Sequence, residues 1–163
     1  NTAHSLSRIE IWKNPYSDPR GDGYQIIQSL IAVGSGGLLG LGLGKSRQKY
    51  LYLPEQHNDF VFAIVCEELG FVGACVVLLL FAILILRGYW IAVHARDKFG
   101  SMLVTGIITL LAVQTFLNVA VVTNFIPVTG VSLPFFSYGG TSLIIQLAEM
   151  GIVLSVSRQM REE

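Results

Sequence analysis

From Leu69 to Leu86 the chain carries no charged residue, and from Phe99 to Ala148 it carries none either. A bilayer core of roughly 30 Å is crossed by about 20 apolar helical residues, so both stretches are long enough to span. The second divides at NFIPVTGVSLPFFSYGG, residues 124–140, where Pro127, Pro134 and the pair Gly139 and Gly140 break helical continuation. Three spans are therefore expected, at about 60–86, 101–123 and 137–157. Arg87, His94, Arg96 and Lys98 crowd the connection after the first span, and Arg158 and Arg161 follow the third. Because cytoplasmic loops carry the excess of Lys and Arg, residues 87–100 and the C-terminus are expected inside and residues 1–58 and 124–140 outside.

One more apolar stretch, GYQIIQSLIAVGSGGLLGLGLG at 23–44, competes for the label of a span. Gly34, Gly36, Gly37, Gly40, Gly42 and Gly44 weaken any helix running through it. Tyr24, Ile27, Leu30 and Ile31 share one face at helical spacing while Gln25, Gln28 and Ser29 take another. That pattern suits an interfacial or re-entrant helix lying on the membrane. Upstream, NPYSDPRGDG at 14–23 is turn chemistry, with Pro15 and Pro19 fixing φ.

Composition points the same way. The 163 residues are 52% hydrophobic and 13% charged with no formal net charge, against roughly 25% charged in an average soluble domain. The chain opens Asn1-Thr2 in polar sequence, without an initiator Met or a signal peptide, and reads as the C-terminal part of a longer protein. Cys66 and Cys75 lie within one apolar segment, lack metal-ligand spacing, and read as small buried hydrophobes.

The chemistry concentrates in GLGLGKSRQKYLYLPEQHNDF, residues 40–60. Glycines leading into Lys45-Ser46 suggest a nucleotide-binding loop, but the first glycine of G-x-x-x-x-G-K-[ST] falls on Leu39, so that motif fails. Lys45, Arg47 and Lys49 then read either as a solvated basic turn or as a receptor for the phosphates of an outer-leaflet ligand, with glycine amides as further donors. Asp59 stands just ahead of the first span, where an N-cap is one explanation. The other follows from length: Leu69 to Leu86 alone supplies about 27 Å of helix, so Phe60 to Cys66 project beyond the core. Such an apolar turn needs a protein cover, and the glycine-rich segment is the available one. Together they would place Asp59 in a partly dry pocket beside cations, a setting suited to a general base. Glu67, Glu68 and Glu149 read as structural partners of groups elsewhere in the protein, and Gln114 and Asn118 as helix-to-helix hydrogen bonds. Gly73, Ala74 and Gly106 read as small residues on an exposed face able to accept a partner helix.

GYQIIQSLIAVGSGGLLGLGLGKSRQKYLYLPEQHNDFVFAIVCEELGFVG and IPVTGVSLPFFSYGGTSL resemble the C-terminal half of the SEDS family (shape, elongation, division and sporulation), the peptidoglycan polymerases. The likeness runs from Ile9 to Arg158, and KSRQKYLYLPE and VTGVSLPFFSYGG stand closer to the FtsW and SpoVE branch than to RodA. It implies an all-α polytopic membrane protein of the bacterial plasma membrane. The three spans would be the last of a ten-helix fold, preceded by a large extracellular loop with amphipathic or re-entrant helices. By the same resemblance, lipid II is polymerised to glycan strands, with undecaprenyl pyrophosphate as leaving group. The essential acid of the family motif falls on Asp59 in Leu53-Pro54-Glu55-Gln56-His57-Asn58-Asp59-Phe60, with Asn58 where the family usually has Thr. Lys45, Arg47, Lys49 and His57 become candidates for holding the pyrophosphate. No resident metal is implied by residue spacing, although Mg²⁺ could accompany the pyrophosphate. Expected partners are a class B penicillin-binding protein, through its transmembrane helix, and other divisome or elongasome proteins; nucleic acid is not among them. A lipid-linked precursor flippase and a non-catalytic division scaffold are the alternatives. A transporter would need coupling carboxylates near the bilayer midplane, where only Glu149 lies.

Overall fold

A computed structural model describes residues 11–12, 14–17, 22–42, 61–136 and 140–160. Among these residues all regular structure is helical: a 3₁₀ turn at Pro15–Ser17, then α1 (Asp22–Ser35), α2 (Val61–Val93), α3 (Lys98–Val122) and α4 (Gly140–Arg158). The last three are long and apolar enough to cross a membrane, as the charge-free runs require. At 14 residues, α1 measures about 21 Å and falls short of the bilayer core.

The first span departs from expectation at its end and in its interior. It continues to Val93, because Arg87 does not end it. The Arg87 guanidinium lies 4.1 Å from the centre of the Trp90 ring, and Trp90 stacks on His94 at 4.3 Å. A cation held over an aromatic face, on a stem that reaches toward the headgroups, is compatible with continued helix at a membrane boundary. The cytoplasmic connection expected over 87–100 therefore shrinks to 94–97, where Asp97 caps α3 by accepting from the Gly100 amide at 2.8 Å. The second departure is a break inside α2 at Gly70, whose φ of 68° and ψ of −170° lie in a region that only glycine occupies at low cost.

Two apolar clusters hold the helices. One joins Ala32 of α1 to Phe62, Ala63, Cys66, Ala74 and Phe81 of α2, Leu111, Val121 and Val122 of α3, and Leu133 of the following loop. The other, toward the opposite ends of the spans, joins Ile91, Ala92, Val104, Ile108 and Val153. Gly88 permits the second cluster to form, since a Cβ there would collide with the Ile108 side chain. Gly88→Leu should force α2 and α3 apart and lower stability by about 1–3 kcal/mol, the usual cost of overpacking. A lowered thermal midpoint of the full-length protein in detergent would show it, and an unchanged midpoint would place the α2–α3 contact elsewhere. α4 contributes only Gln146 and Val153 as buried residues.

The face of α1 turned to the protein is Ile26, Ser29 and Ala32, continued by Gly36 just past its end, while Leu30 and Ile31 are exposed. Small residues let the helix approach α2 closely, and the Ser29 hydroxyl is satisfied by donating to the Ile26 carbonyl at 2.8 Å. Cys66 is buried as expected, but Cys75 is exposed on the outer face of α2. Of the small residues expected on a partner-docking face, Ala74 is buried in the core and a Cβ on Gly73 would meet Leu69; Gly106 alone faces open space.

Candidate functional site

The break at Gly70 organises the region where the chemistry converges. Ending one helix and starting another leaves carbonyls unpaired on one side and amides on the other. The glycine-rich segment after α1 supplies both kinds of partner. The amides of Leu41 and Gly42 donate to the carbonyls of Glu67 and Glu68, each at 3.0 Å. In return, the amides of Phe71 and Val72 donate to the carbonyls of Gly37 and Leu38 at 2.9 and 3.2 Å. Backbone can approach backbone this closely only without side chains. A Cβ on Gly36 would run into the Cys66 carbonyl, one on Gly40 into that of Glu68, and one on Gly70 into the Gly40 amide nitrogen. The segment is thus the cover that the first turns of α2 need, although the sequence alone did not reveal the break into which it fits.

Two acids flank this clasp. Glu67 is buried to 1% exposure and engaged with a neighbour. One carboxylate oxygen of Glu68, Oε1, is buried without a hydrogen-bond partner among the described residues. Asp59, Lys45, Arg47, Lys49 and His57 lie outside the described residues, so their mutual distances are not part of this geometry. The chain enters their segment from Gly42, held by Glu68, and leaves it at Val61, the first residue of α2. Glu149 on α4 is half-buried. Among the described residues no group of three or more His, Cys, Asp or Glu could hold a metal ion.

On the same side of the bundle, the loop after α3 is fixed by two polar side chains of the spans, of which Asn118 was expected to pair helices and Gln146 was not singled out. Asn118 donates from Nδ2 to the Val131 carbonyl at 2.9 Å, and Gln146 accepts the Phe135 amide at 2.7 Å. Both bonds run from a span to the re-entering loop, correcting the helix-to-helix role expected for Asn118. The loop carries Phe135 at a φ of 65°, and Phe81 of α2 stacks on it with ring centres 6.4 Å apart. Trp12 donates from Nε1 to the Asn124 carbonyl at 3.0 Å, bringing the N-terminal part of the chain to the same loop.

Comparison with known proteins decides the lineage. The family model described as cell cycle protein, of the FtsW, RodA and SpoVE kind, matches residues 2–162. The chain belongs to the FtsW/RodA/SpoVE family. It is 54% identical over 158 residues to stage V sporulation protein E of Bacillus subtilis, covering 97% of this chain and 43% of that protein. It is 48% identical over 161 residues to a probable peptidoglycan glycosyltransferase FtsW of Geobacter metallireducens, covering 99% and 43%. Against the peptidoglycan glycosyltransferase MrdB of Escherichia coli it is 48% identical over 154 residues, covering 94% and 42%. A chain in a solved structure, titled as structural coordination of polymerization and crosslinking by a peptidoglycan synthase complex, superposes with a TM-score of 0.72 at 32% identity. That match covers 96% of this chain and 42% of the other. The chain thus spans under half the length of these FtsW/RodA/SpoVE relatives, and its matched fold is that of a multi-pass membrane protein.

Proposed function

We propose that this chain forms part of a peptidoglycan polymerase that builds glycan strands from lipid II in the bacterial plasma membrane, for cell division, sporulation or cell shape. The observation that carries the reading is 48% identity over 161 residues to a probable peptidoglycan glycosyltransferase, in a chain that includes the LPEQHNDF motif. In the reaction, the 4-hydroxyl of an acceptor GlcNAc attacks C1 of a donor MurNAc. The hydroxyl proton passes to the Asp59 carboxylate, the bond from C1 to the pyrophosphate oxygen breaks, and undecaprenyl pyrophosphate leaves with inversion at C1. A hydroxyl is a weak nucleophile at neutral pH, and a positioned base contributes roughly 10²- to 10⁴-fold. Lys45, Arg47 and Lys49, with His57, offset the charge growing on the pyrophosphate. Mg²⁺, where it takes part, is held chiefly by pyrophosphate oxygens. Residues 1–58 and 124–140 face outward, where the lipid-linked substrate is consumed, and residues 94–97 and the C-terminus face the cytoplasm.

The synthase complex in which the structural relative was solved supports a crosslinking partner for this chain as well. Its expected form is a class B penicillin-binding protein with a single transmembrane helix, alongside other division or elongation proteins. The test of the pyrophosphate reading replaces Lys45, Arg47 and Lys49 by Gln in the full-length protein. A charge-assisted contact contributes roughly 1.5–3 kcal/mol, so lipid II turnover should fall at least tenfold while the amount of folded protein is unchanged. Normal kinetics in the triple variant would assign these cations to solvent.

A further inference from the structure

The clasp between residues 36–42 and the break in α2 has a place in the chain that gives it a second role. Gly42, the last residue of the clasp, immediately precedes the segment 43–60 that carries Lys45, Arg47, Lys49, His57 and Asp59. That segment returns to the described fold at Val61, on the same short piece of α2 that holds Gly42 through Glu68. From Val61 to Glu68 the helix rises about 10 Å. Gly42 and Val61, the described residues on either side of the segment, are therefore both held on one short piece of helix that ends at Gly70.

We propose that Gly36, Gly40 and Gly70 are positioning residues for glycan polymerisation, because the clasp they form fixes where the chain leaves the bundle at Gly42, immediately before the segment that carries the acid and cations. The proposal rests on the reading of Asp59 as the base. Three glycines are needed for different reasons. Gly36 and Gly40 give up a side chain so that their backbone can lie against the carbonyls of Cys66 and Glu68. Gly70 provides the conformation that turns the helix aside, and asparagine, which tolerates ordinary left-handed backbone, does not replace it there. Alanine at any of the three pushes the strand away from the helix. A displacement of about 1 Å at a reacting group can lower a rate roughly a hundredfold.

The experiment uses the full-length protein with its crosslinking partner and purified lipid II. Gly36→Ala, Gly40→Ala and Gly70→Ala should each lower kcat/KM at least tenfold, and saturating lipid II should not restore the rate. Gly34→Ala and Gly106→Ala, where a Cβ meets nothing, should match the parent protein. The state of the clasp is read separately through Cys66, which lies buried beneath Gly36. With every other cysteine replaced, maleimide should label Cys66 at least tenfold faster in the three clasp variants and at the parent rate in Gly34→Ala. Faster labelling with parental turnover, or parental labelling with parental turnover, would overturn the proposal.

A fourth variant guards against clasp variants that fail to fold. One glycine inserted between Gly42 and Leu43 leaves every clasp bond and the exit at Gly42 in place but adds about 3.5 Å of chain between that exit and the cations. It should keep slow labelling and lose turnover at least tenfold; full turnover would sink the proposal. Asp59→Asn, run in parallel, separates the two readings. An active Asp59→Asn beside inactive clasp variants removes the base alone, and an inactive Asp59→Asn beside active clasp and insertion variants removes the clasp alone.

Discussion

Asp59→Asn, in the full-length protein with its partner, is expected to lower polymerisation of purified lipid II by about two orders of magnitude or more. The substitution keeps the size of the side chain and an oxygen able to cap the helix that begins at Val61. What it removes is the proton acceptor. Expression, thermal stability and partner binding should therefore stay near those of the parent, which separates loss of a base from loss of a cap. Asp59→Glu should recover little, because the added methylene displaces the carboxylate by about an ångström, enough to cost roughly a hundredfold by itself. Glycan synthesis at the parent rate by a stable Asp59→Asn protein would remove the base and return the scaffold and transporter readings to contention.

Phe81→Ala should give the largest loss of stability among single truncations in the described fold. Phe81 is 6% exposed, belongs to the larger core cluster, and meets both Phe135 and Phe136 of the loop after α3. Truncating a buried phenylalanine costs about 3–5 kcal/mol through lost contact and an unfilled cavity. Here the loss falls on two elements at once, since the same ring packs between α2 and the loop. Measured in detergent on the full-length protein, the thermal midpoint should drop, and the Phe135 amide should exchange faster. A lowered midpoint with unchanged exchange at Phe135 would show that Gln146 holds that amide without help from the ring contact.

The spans were legible because length and the absence of charge are properties of a segment by itself. Pro127 and Pro134 marked the interruption between α3 and α4 for the same reason: proline acts on its own backbone wherever it stands. What could not be read depended on neighbours far away in the chain. Arg87 looks like the end of a span until Trp90 is seen beneath its guanidinium, and Asn118 looks like an interhelical polar group until the loop folds back to it. The face of α1 that meets α2, Ile26, Ser29 and Ala32 with Gly36 beyond, was set by close approach to a helix some thirty residues further on. Gly70 carried the faintest signal, a single glycine beside two acids in an apolar helix. Its meaning lies in the match with the glycines at 36 and 40, a pairing across some thirty residues that no local periodicity reports. The acid and cations of the candidate site were named from their motif, while the arrangement among them belongs to residues outside those described.

The break in α2 also bears on how the protein is made. In lipid each unpaired backbone group costs several kcal/mol, so a helix interrupted at Gly70 is a poor passenger for the membrane unless its four open groups are met on arrival. The segment that meets them, residues 37–42, precedes α2 in the chain and has left the ribosome before Gly70 does. Synthesis from the N-terminus therefore delivers the template ahead of the helix that needs it. Reversing that order, by moving the glycine-rich segment to the C-terminal side of α2, would leave the nascent helix without its partner at the moment of insertion.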